Sequence, residues 1–253
     1  MDTEPILTLS TSWLIFLTIA PWPVRAFLAR VLPSHEATLV AYNLAAIVPN
    51  IYMTVMGMQA WFFDEHLAAV YAKGGHSRLY EPIEQMQSIV GVCIGYELWN
   101  TLASVVLPEY RTVAFLGHHA VTMYLGMLAT FPFLHTYGAF FVGVASASSI
   151  FLGLVDIFRH VEVLHTNLPT INLIIRLAFA ITFIACRSVM WPIISCSFWM
   201  DIVGEVRSGT SHSLWACSVY LVANIFLTSL QLLWTKKIVL GLYNAVAVGG
   251  KEN

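Results

Sequence analysis

Seven apolar stretches limit the folds open to this chain more than any other feature of its sequence. Each is long enough for a helix to cross the hydrocarbon core of a bilayer, which takes about 20 residues. Only 10% of the 253 residues are charged, and the formal net charge of −2 gives no indication of a nucleic-acid interface. We therefore predict an all-α polytopic membrane protein with spans at about 12–32, 38–62, 88–107, 112–131, 137–158, 170–194 and 213–235.

The charges of the loops predict the orientation of these spans. Cytosolic loops carry an excess of Lys and Arg, and a lumenal N-terminus with a cytosolic C-terminus puts most of these residues in the cytosol. Only Lys73, Arg78 and Arg207 then fall in lumenal loops. The longest loop, residues 64–87, is predicted to form a short amphipathic helix at the membrane interface.

Two adjacent histidines, His118 and His119, lie inside the fourth stretch. An ionisable residue is costly inside a membrane, so it indicates a functional site by default. Successive residues of a helix point about 100° apart, so one histidine can face a cavity while the other supports it. Histidine can exchange a proton near neutral pH or carry an acyl group as an acyl-imidazole. Hydrogen-bonded packing is the alternative interpretation of the pair.

Other polar residues in the apolar stretches complete the list of candidates. Glu97 lies deep within the third stretch and must be protonated or paired, either to orient a histidine or as a buried structural acid. Asp156 is either a catalytic partner or an interfacial charge, and the small residues around Ser149 are also typical of tight helix packing. The candidate catalytic residues are His118, His119, Glu97 and Asp156; the candidate substrate-binding residues are Asn100, Thr122, Ser149, Asn224 and Gln231; and Arg187, near the outer end of the sixth stretch, is assigned a structural role.

The spacing of histidines and cysteines predicts no metal site. The nine histidines include one adjacent pair and no HxxHH pattern, which is too few clustered ligands for a di-iron centre. The four cysteines have no CxxC spacing and are predicted to be packing residues. A Cys196–Cys217 disulfide in an oxidising compartment is the alternative for that pair.

Four motifs, in this order, resemble those of the TLC-domain proteins, a family named for its TRAM, Lag and CLN groups. They are the sequence GYELWN at Gly95–Asn100, the histidine pair with Thr122, the pattern Phe-x3-Arg-x4-Pro from Phe183 to Pro192, and the sequence LQLLWTKK at Leu230–Lys237. The resemblance covers residues 40 to 240 and implies a bundle or barrel of six helices around a lipid-sized cavity, with an additional N-terminal span, in the endoplasmic reticulum. It divides the chain into an N-terminal tail and first span at 1–37, a TLC domain at 38–240 and a cytosolic tail at 241–253.

The resemblance also implies a chemistry, from which this sequence departs in one region. Ceramide synthases of the family transfer acyl groups from acyl-CoA to sphingoid bases at the paired histidines. They carry an HDxxD-like acidic pair on the following helix, where this chain has SASSIFLG at Ser146–Gly153. Many other members carry a Glu near the position of Ser146, and Asp156 is the candidate substitute here. The chain is therefore nearer to the small TLC-domain proteins than to the ceramide synthases.

Two functions remain compatible with these residues. The first is acyl-CoA-dependent acyl transfer in membrane lipid homeostasis, with membrane lipids and fatty acyl-CoA as partners and no tightly bound cofactor. The second is a non-enzymatic lipid-binding protein, cargo receptor or regulator of membrane composition. A channel or transporter is disfavoured, because the sequence contains neither inverted repeats nor a row of intramembrane charges.

Overall fold

The computed structural model describes the backbone of residues 3–249 and the side chains of residues 3–243. These residues form helices and no strands, which confirms the all-α prediction. Short 3-10 segments at Pro108–Tyr110 and Val144–Ser146, and π-helical segments at Ala139–Gly143 and Ile184–Met190, connect the α-helices. The α-helices are α1 (Glu4–Ile19), α2 (Pro21–Leu28), α3 (Ser34–Phe63), α4 (Glu65–Lys73), α5 (Gly75–Tyr80), α6 (Glu84–Val106), α7 (Val113–Leu128), α8 (His135–Gly138), α9 (Ala147–His160), α10 (Glu162–Asn167), α11 (Pro169–Phe183), α12 (Trp191–Ser208) and α13 (Leu214–Gly249).

The polytopic architecture is also confirmed, and one of its seven apolar helical segments is short. Six helical segments of the described chain are long and apolar enough to cross a membrane, and α7 is apolar but shorter. At 16 residues, α7 is about 24 Å long, against a hydrocarbon core of about 30 Å. The helix that carries the histidine pair is therefore the shortest of the seven. The six long segments are Glu4–Leu28, Ser34–Phe63, Glu84–Val106, His135–His160, Pro169–Ser208 and Leu214–Tyr243.

The first span begins earlier than predicted and is interrupted by proline. It runs over Glu4–Leu28 rather than residues 12–32. α1 ends just before Pro21, because proline lacks the N–H that would continue the hydrogen bonds of the helix, and α2 restarts with this proline in its first turn. α1 lies so close to α6 that a Cβ added to Gly95 would be 2.5 Å from the carbonyl oxygen of Ser10. Only glycine fits at this contact.

The sixth span differs most from the prediction. We predicted a helix over 170–194, whereas the chain is helical over all of Pro169–Ser208. Pro192 lies inside this helix, where its ring conflicts with the carbonyl of Ser188, and a π-helical segment at this point accommodates the lost hydrogen bond. Arg187 consequently lies in the middle of a 40-residue helix, and its predicted position near the outer end was wrong.

The loop over residues 64–87 forms the two short helices α4 and α5 and ties one end of the bundle together. Arg78 on α5 donates hydrogen bonds of 2.6 Å from both Nε and Nη2 to the carboxylate of Asp201 on α12. The hydroxyl of Tyr137 donates to the same carboxylate. The hydrogen-bonded carboxylate raises the pKa of Arg78 above its ordinary value, so this arginine stays charged. We call Arg78, Asp201 and Tyr137 the far-end clamp.

The C-terminal helix is longer than predicted. α13 runs over Leu214–Gly249, so residues 241–249 of the predicted tail are helical, and residues 250–253 lie outside the described residues. The alternative Cys196–Cys217 disulfide is absent: both are free thiols in the structure, Cys196 exposed and Cys217 buried.

Candidate functional site

A cavity of about 130 Å³ lies in the bundle between α3, α6, α7, α12, α13 and the segment His135–His160. Its lining changes from apolar to polar along the bundle. On α6, Met86 comes before Glu97, and on α7, which follows a short turn and runs back, His118 comes before Leu125. Both helices therefore present their polar residues towards the end that contains the α6–α7 turn. A cavity with one polar and one apolar half suits an amphipathic molecule.

Glu97 and His119 form a buried pair in the polar half. The distance from His119 Nδ1 to Glu97 Oε2 is 2.5 Å, and the two side chains are only 7% and 8% exposed. We assign the proton to Nδ1, because a carboxylate accepts hydrogen bonds. Nε2 then carries the lone pair, and no described group contacts it by a hydrogen bond. The pairing predicted for Glu97 is thus present, and it leaves His119 with a free basic nitrogen.

His118 lines the cavity beside His119, with the ring centroids 5.0 Å apart. Its Nδ1 is buried and has no hydrogen-bond partner among the described residues. Its ring also meets Trp234 edge to face at 5.5 Å, and Thr122 donates to its backbone carbonyl at 2.8 Å. We expected one histidine to support the other. Instead both face the cavity, and the support comes from Glu97.

Arg187 projects into the same cavity, in contrast to the structural role assigned from sequence. The residue is 9% exposed. Nε donates to the carbonyl of Ala145 at 3.2 Å and to Ser148 Oγ at 2.8 Å, and Nη2 donates to Ser149 Oγ at 3.1 Å. Phe183 contacts the guanidinium at 5.9 Å from its ring centroid. Ser149, a predicted substrate-binding residue, thus lines the cavity while it holds this arginine.

Three predicted site residues are not among those that line the cavity: Asn100, Asp156 and Gln231. Asn100 accepts a hydrogen bond of 2.6 Å from the hydroxyl of Tyr42. Asp156 lies nearly two turns of helix beyond Ser149, next to the α6–α7 turn. Its carboxylate there accepts a hydrogen bond of 3.5 Å from the hydroxyl of Tyr110. Gln231 is 1% exposed, and neither of its amide atoms has a described partner.

Two polar residues of α13, Asn224 and Thr228, contact tryptophans of α12. Asn224 lines the cavity and accepts a hydrogen bond of 2.9 Å from Trp199 Nε1. One turn further on, Thr228 accepts one of 3.0 Å from Trp191 Nε1. Of the ten predicted site residues, seven line the cavity: Glu97, His118, His119, Thr122, Ser149, Asn224 and Arg187.

Sequence reasoning missed several polar cavity residues, among them Asn50 and Tyr96. The amide of Asn50 donates a hydrogen bond of 2.8 Å to the hydroxyl of Tyr96, and both line the cavity. An asparagine inside the second apolar stretch was the available signal, since a polar group there needs a partner. Among the described residues, no group of three or more His, Cys, Asp or Glu is arranged to hold a metal ion.

These features define a helical membrane protein with an amphipathic cavity and an acid–histidine pair in the polar half of that cavity. The family model of the TLC domain, which represents the TRAM, LAG1 and CLN8 proteins, matches residues 40–240. The chain therefore belongs to the TLC-domain family, whose members are typically membrane lipid-related proteins. Comparisons with curated proteins and with solved structures gave no match.

Proposed function

We propose that this protein acts in membrane lipid homeostasis by transferring an acyl group from acyl-CoA to a lipid acceptor. The observation that carries the proposal is the free Nε2 of His119, opposite the ring nitrogen that Glu97 holds. A carboxylate on one side of an imidazole orients the ring and stabilises its protonated form, which is how a histidine is prepared to act as a base. His118 and Thr122 line the cavity beside it.

In this reaction, His119 Nε2 takes the proton of the acceptor's amine or hydroxyl group. The acceptor's nitrogen or oxygen then bonds to the thioester carbonyl carbon, the carbon–sulfur bond breaks, and the departing thiolate receives the proton from Nε2. In the two-step form, Nε2 first bonds to the acyl carbon while the carbon–sulfur bond breaks and the thiolate departs. The acceptor's nitrogen or oxygen then bonds to the acyl carbon, the bond from Nε2 to that carbon breaks, and the acceptor's proton passes to Nε2. An acyl adduct on His119, mapped by mass spectrometry after a quench, distinguishes the two forms.

The division of the cavity supports a lipid as substrate. The polar half holds the reactive pair, and the apolar half, with Met53, Phe141 and Leu227, suits a hydrocarbon chain. The polar half lies towards the α6–α7 turn, which is cytosolic in the predicted orientation, the side on which acyl-CoA is available. We propose a location in the endoplasmic reticulum with a lumenal N-terminus. Glycosylation acceptor sites inserted at each terminus test that orientation.

One observation favours a non-enzymatic alternative. The helix after the histidines lacks the acidic pair that ceramide synthases carry, and at this place Ser148 and Ser149 bind Arg187 instead. A lipid sensor or cargo receptor needs the cavity but not the reactive nitrogen. Both functions predict lipid in the cavity, and they differ in whether His119 reacts.

A labelled lipid profile separates the two functions. Membranes with equal amounts of wild type, a His118→Ala/His119→Ala variant and a Glu97→Gln variant are supplied with labelled acyl-CoA. His165→Ala serves as the matched control, because His165 is exposed and far along the sequence from the cavity residues. We expect a labelled lipid class only in wild type and control. Identical profiles from four folded proteins would overturn acyl transfer and leave the lipid-binding function.

A further inference from the structure

Arg187 is a buried charge with no ion-pair partner among the described residues. Buried arginines in proteins are nearly always paired, because removing a charge from water costs more than neutral hydrogen bonds return. Arg78, which is only partly buried, is paired with the carboxylate of Asp201 at 2.6 Å. No described carboxylate lies within 4 Å of the guanidinium of Arg187, which has only a carbonyl and two serine hydroxyls as acceptors.

The guanidinium also retains unused donors. Arginine has five N–H groups, and the hydrogen bonds of Arg187 to described residues come from Nε and Nη2 alone. Nη1 is left free on a residue that lines the cavity. The contact with Phe183 offsets part of the cost, since a cation over an aromatic ring gains about 0.5–2 kcal/mol. It does not satisfy the N–H groups.

Among the described residues, the polar half supplies no carboxylate in ion-pair contact with Arg187. Glu97 is the carboxylate that lines the cavity, and it is bound to His119 at 2.5 Å. The buried Nδ1 of His118 and Nε2 of His119 have no described partners either. Arg187 and the two histidines thus line one space, in which the guanidinium is the positive group that can meet an anion. The π-helical segment Ile184–Met190 carries Arg187 there, and such segments are frequent at functional sites.

We propose that the cavity binds an amphiphile with an anionic head group, a carboxylate or a phosphate, with Arg187 as its counterion. The planar guanidinium matches the geometry of both groups, and charge-assisted hydrogen bonds are about twice as strong as neutral ones. The hydrocarbon chain of the ligand lies in the apolar half. This inference goes beyond the proposed acyl transfer, because it requires binding by Arg187 and no reaction at His119.

The test compares three photoreactive probes that share the same 16-carbon hydrocarbon chain and differ in head group: a fatty acid, a lysophosphatidic acid and the uncharged fatty alcohol. The full chain is purified in an uncharged detergent, and labelling is measured over a concentration series. We expect wild type to reach half-maximal labelling with an anionic probe at a concentration at least about tenfold below that of the alcohol. Whichever anionic probe is preferred identifies carboxylate or phosphate as the source.

Variants assign the preference to Arg187. Arg187→Met, which keeps much of the side-chain volume, is expected to label with the anionic probe no better than with the alcohol. Arg187→Lys, which keeps the charge but not the planar fork, should retain part of the preference. Labelling of wild type by both anionic probes no better than by the alcohol would overturn the proposal, as would a full anion preference in Arg187→Met. The wild-type comparison decides even if a variant fails to fold.

A further variant keeps this test separate from acyl transfer. Glu97→Gln removes the carboxylate that holds His119 but leaves Arg187 and its serines in place. We expect this variant to lose acyl transfer and to keep the anion preference. Loss of transfer with a retained preference supports both proposals. A preference that disappears in Glu97→Gln while Arg187→Met keeps it would contradict the assignment to Arg187.

Discussion

The arginines at the two ends of the cavity differ in whether they are paired with a carboxylate. In the far-end clamp, Arg78 has two hydrogen bonds to Asp201, and Tyr137 donates a third to the same carboxylate. In the polar half, Arg187 has neutral acceptors only, and Nε2 of His119 has no described partner. Paired groups hold helices together, whereas unpaired groups next to a cavity are available to a ligand. We infer that stability and ligand handling belong to separate polar clusters.

The largest expected effect is on chemistry, at the Glu97–His119 pair. Glu97→Gln removes the negative charge that stabilises protonated His119, and an amide that can also donate no longer fixes the proton on Nδ1. We expect acyl transfer to fall by about 10²- to 10⁴-fold, the usual contribution of a positioned base. Labelled lipid formed per amount of protein measures it, with His165→Ala as the control. Acyl transfer at the wild-type rate would show that Glu97, like the far-end clamp, has a structural role.

The next effect is on stability, at the far-end clamp. Arg78→Met leaves the carboxylate of Asp201, whose side chain is 8% exposed, without its cation. We expect the free energy of unfolding to fall by about 3 kcal/mol, the lower end for a broken buried pair. The unfolding midpoint in detergent measures the change. Lys73→Met is the matched control, because its ion pair with Glu81 is exposed and should contribute little. Equal loss in both variants would contradict a special role for the clamp.

Arg187→Met is expected to behave unlike Arg78→Met. Replacing a buried unpaired charge with an apolar side chain of similar length is often neutral, so we expect stability within about 1 kcal/mol of wild type. The same unfolding midpoint measures it. A loss as large as that of Arg78→Met would mean that Arg187 is structural after all, as the sequence first suggested.

The smallest effect is the pH dependence of the exposed pair next to the clamp. The hydrogen bond from Lys73 Nζ lowers the pKa of Glu81 below its ordinary value. A lowered carboxylate pKa stabilises the folded state while the group is ionised, and this contribution is lost as the pH falls through the folded pKa. We expect Glu81→Gln to differ slightly from wild type in unfolding midpoint at neutral pH and not below about pH 4. A difference that grows in acid would contradict this sign.

The positions of the spans could be predicted from sequence, but their ends could not. Hydropathy over about 20 residues is a strong signal, and it located all seven apolar segments. Two of the three large boundary differences, those of the first and sixth spans, lie in spans that contain proline. Pro192 looked like a helix end, yet a proline in the first turn of a helical segment is tolerated, and a π-helical segment absorbs the strain. The helix therefore continues to Ser208 and moves Arg187 from its end to its middle.

The candidate site could be predicted where the partners lie on neighbouring antiparallel spans. Glu97 and His119 are 22 residues apart, and one short turn brings them together. Sequence alone could not show that Arg78 is paired with a carboxylate and that Arg187 is not. Arg78 meets Asp201 across 123 residues, and only the packing of α5 on α12 reveals that partner. Asp156 was predicted to be either a catalytic partner or an interfacial charge, and its helix directs it to Tyr110 at the α6–α7 turn.

The far-end clamp is proposed to stabilise the fold, and the histidine site to carry out acyl transfer. The most direct test of this division of roles measures acyl transfer per folded molecule in two variants. Folded protein is counted by its retained unfolding transition, and transfer is read from labelled acyl-CoA. We expect the His118→Ala/His119→Ala variant to lose acyl transfer while most of its molecules stay folded. We expect the Arg78→Met variant to contain fewer folded molecules, and those that remain folded to transfer acyl groups at the wild-type rate. The reverse pattern, with lost folding at the histidines and lost transfer at Arg78, would contradict the central claim.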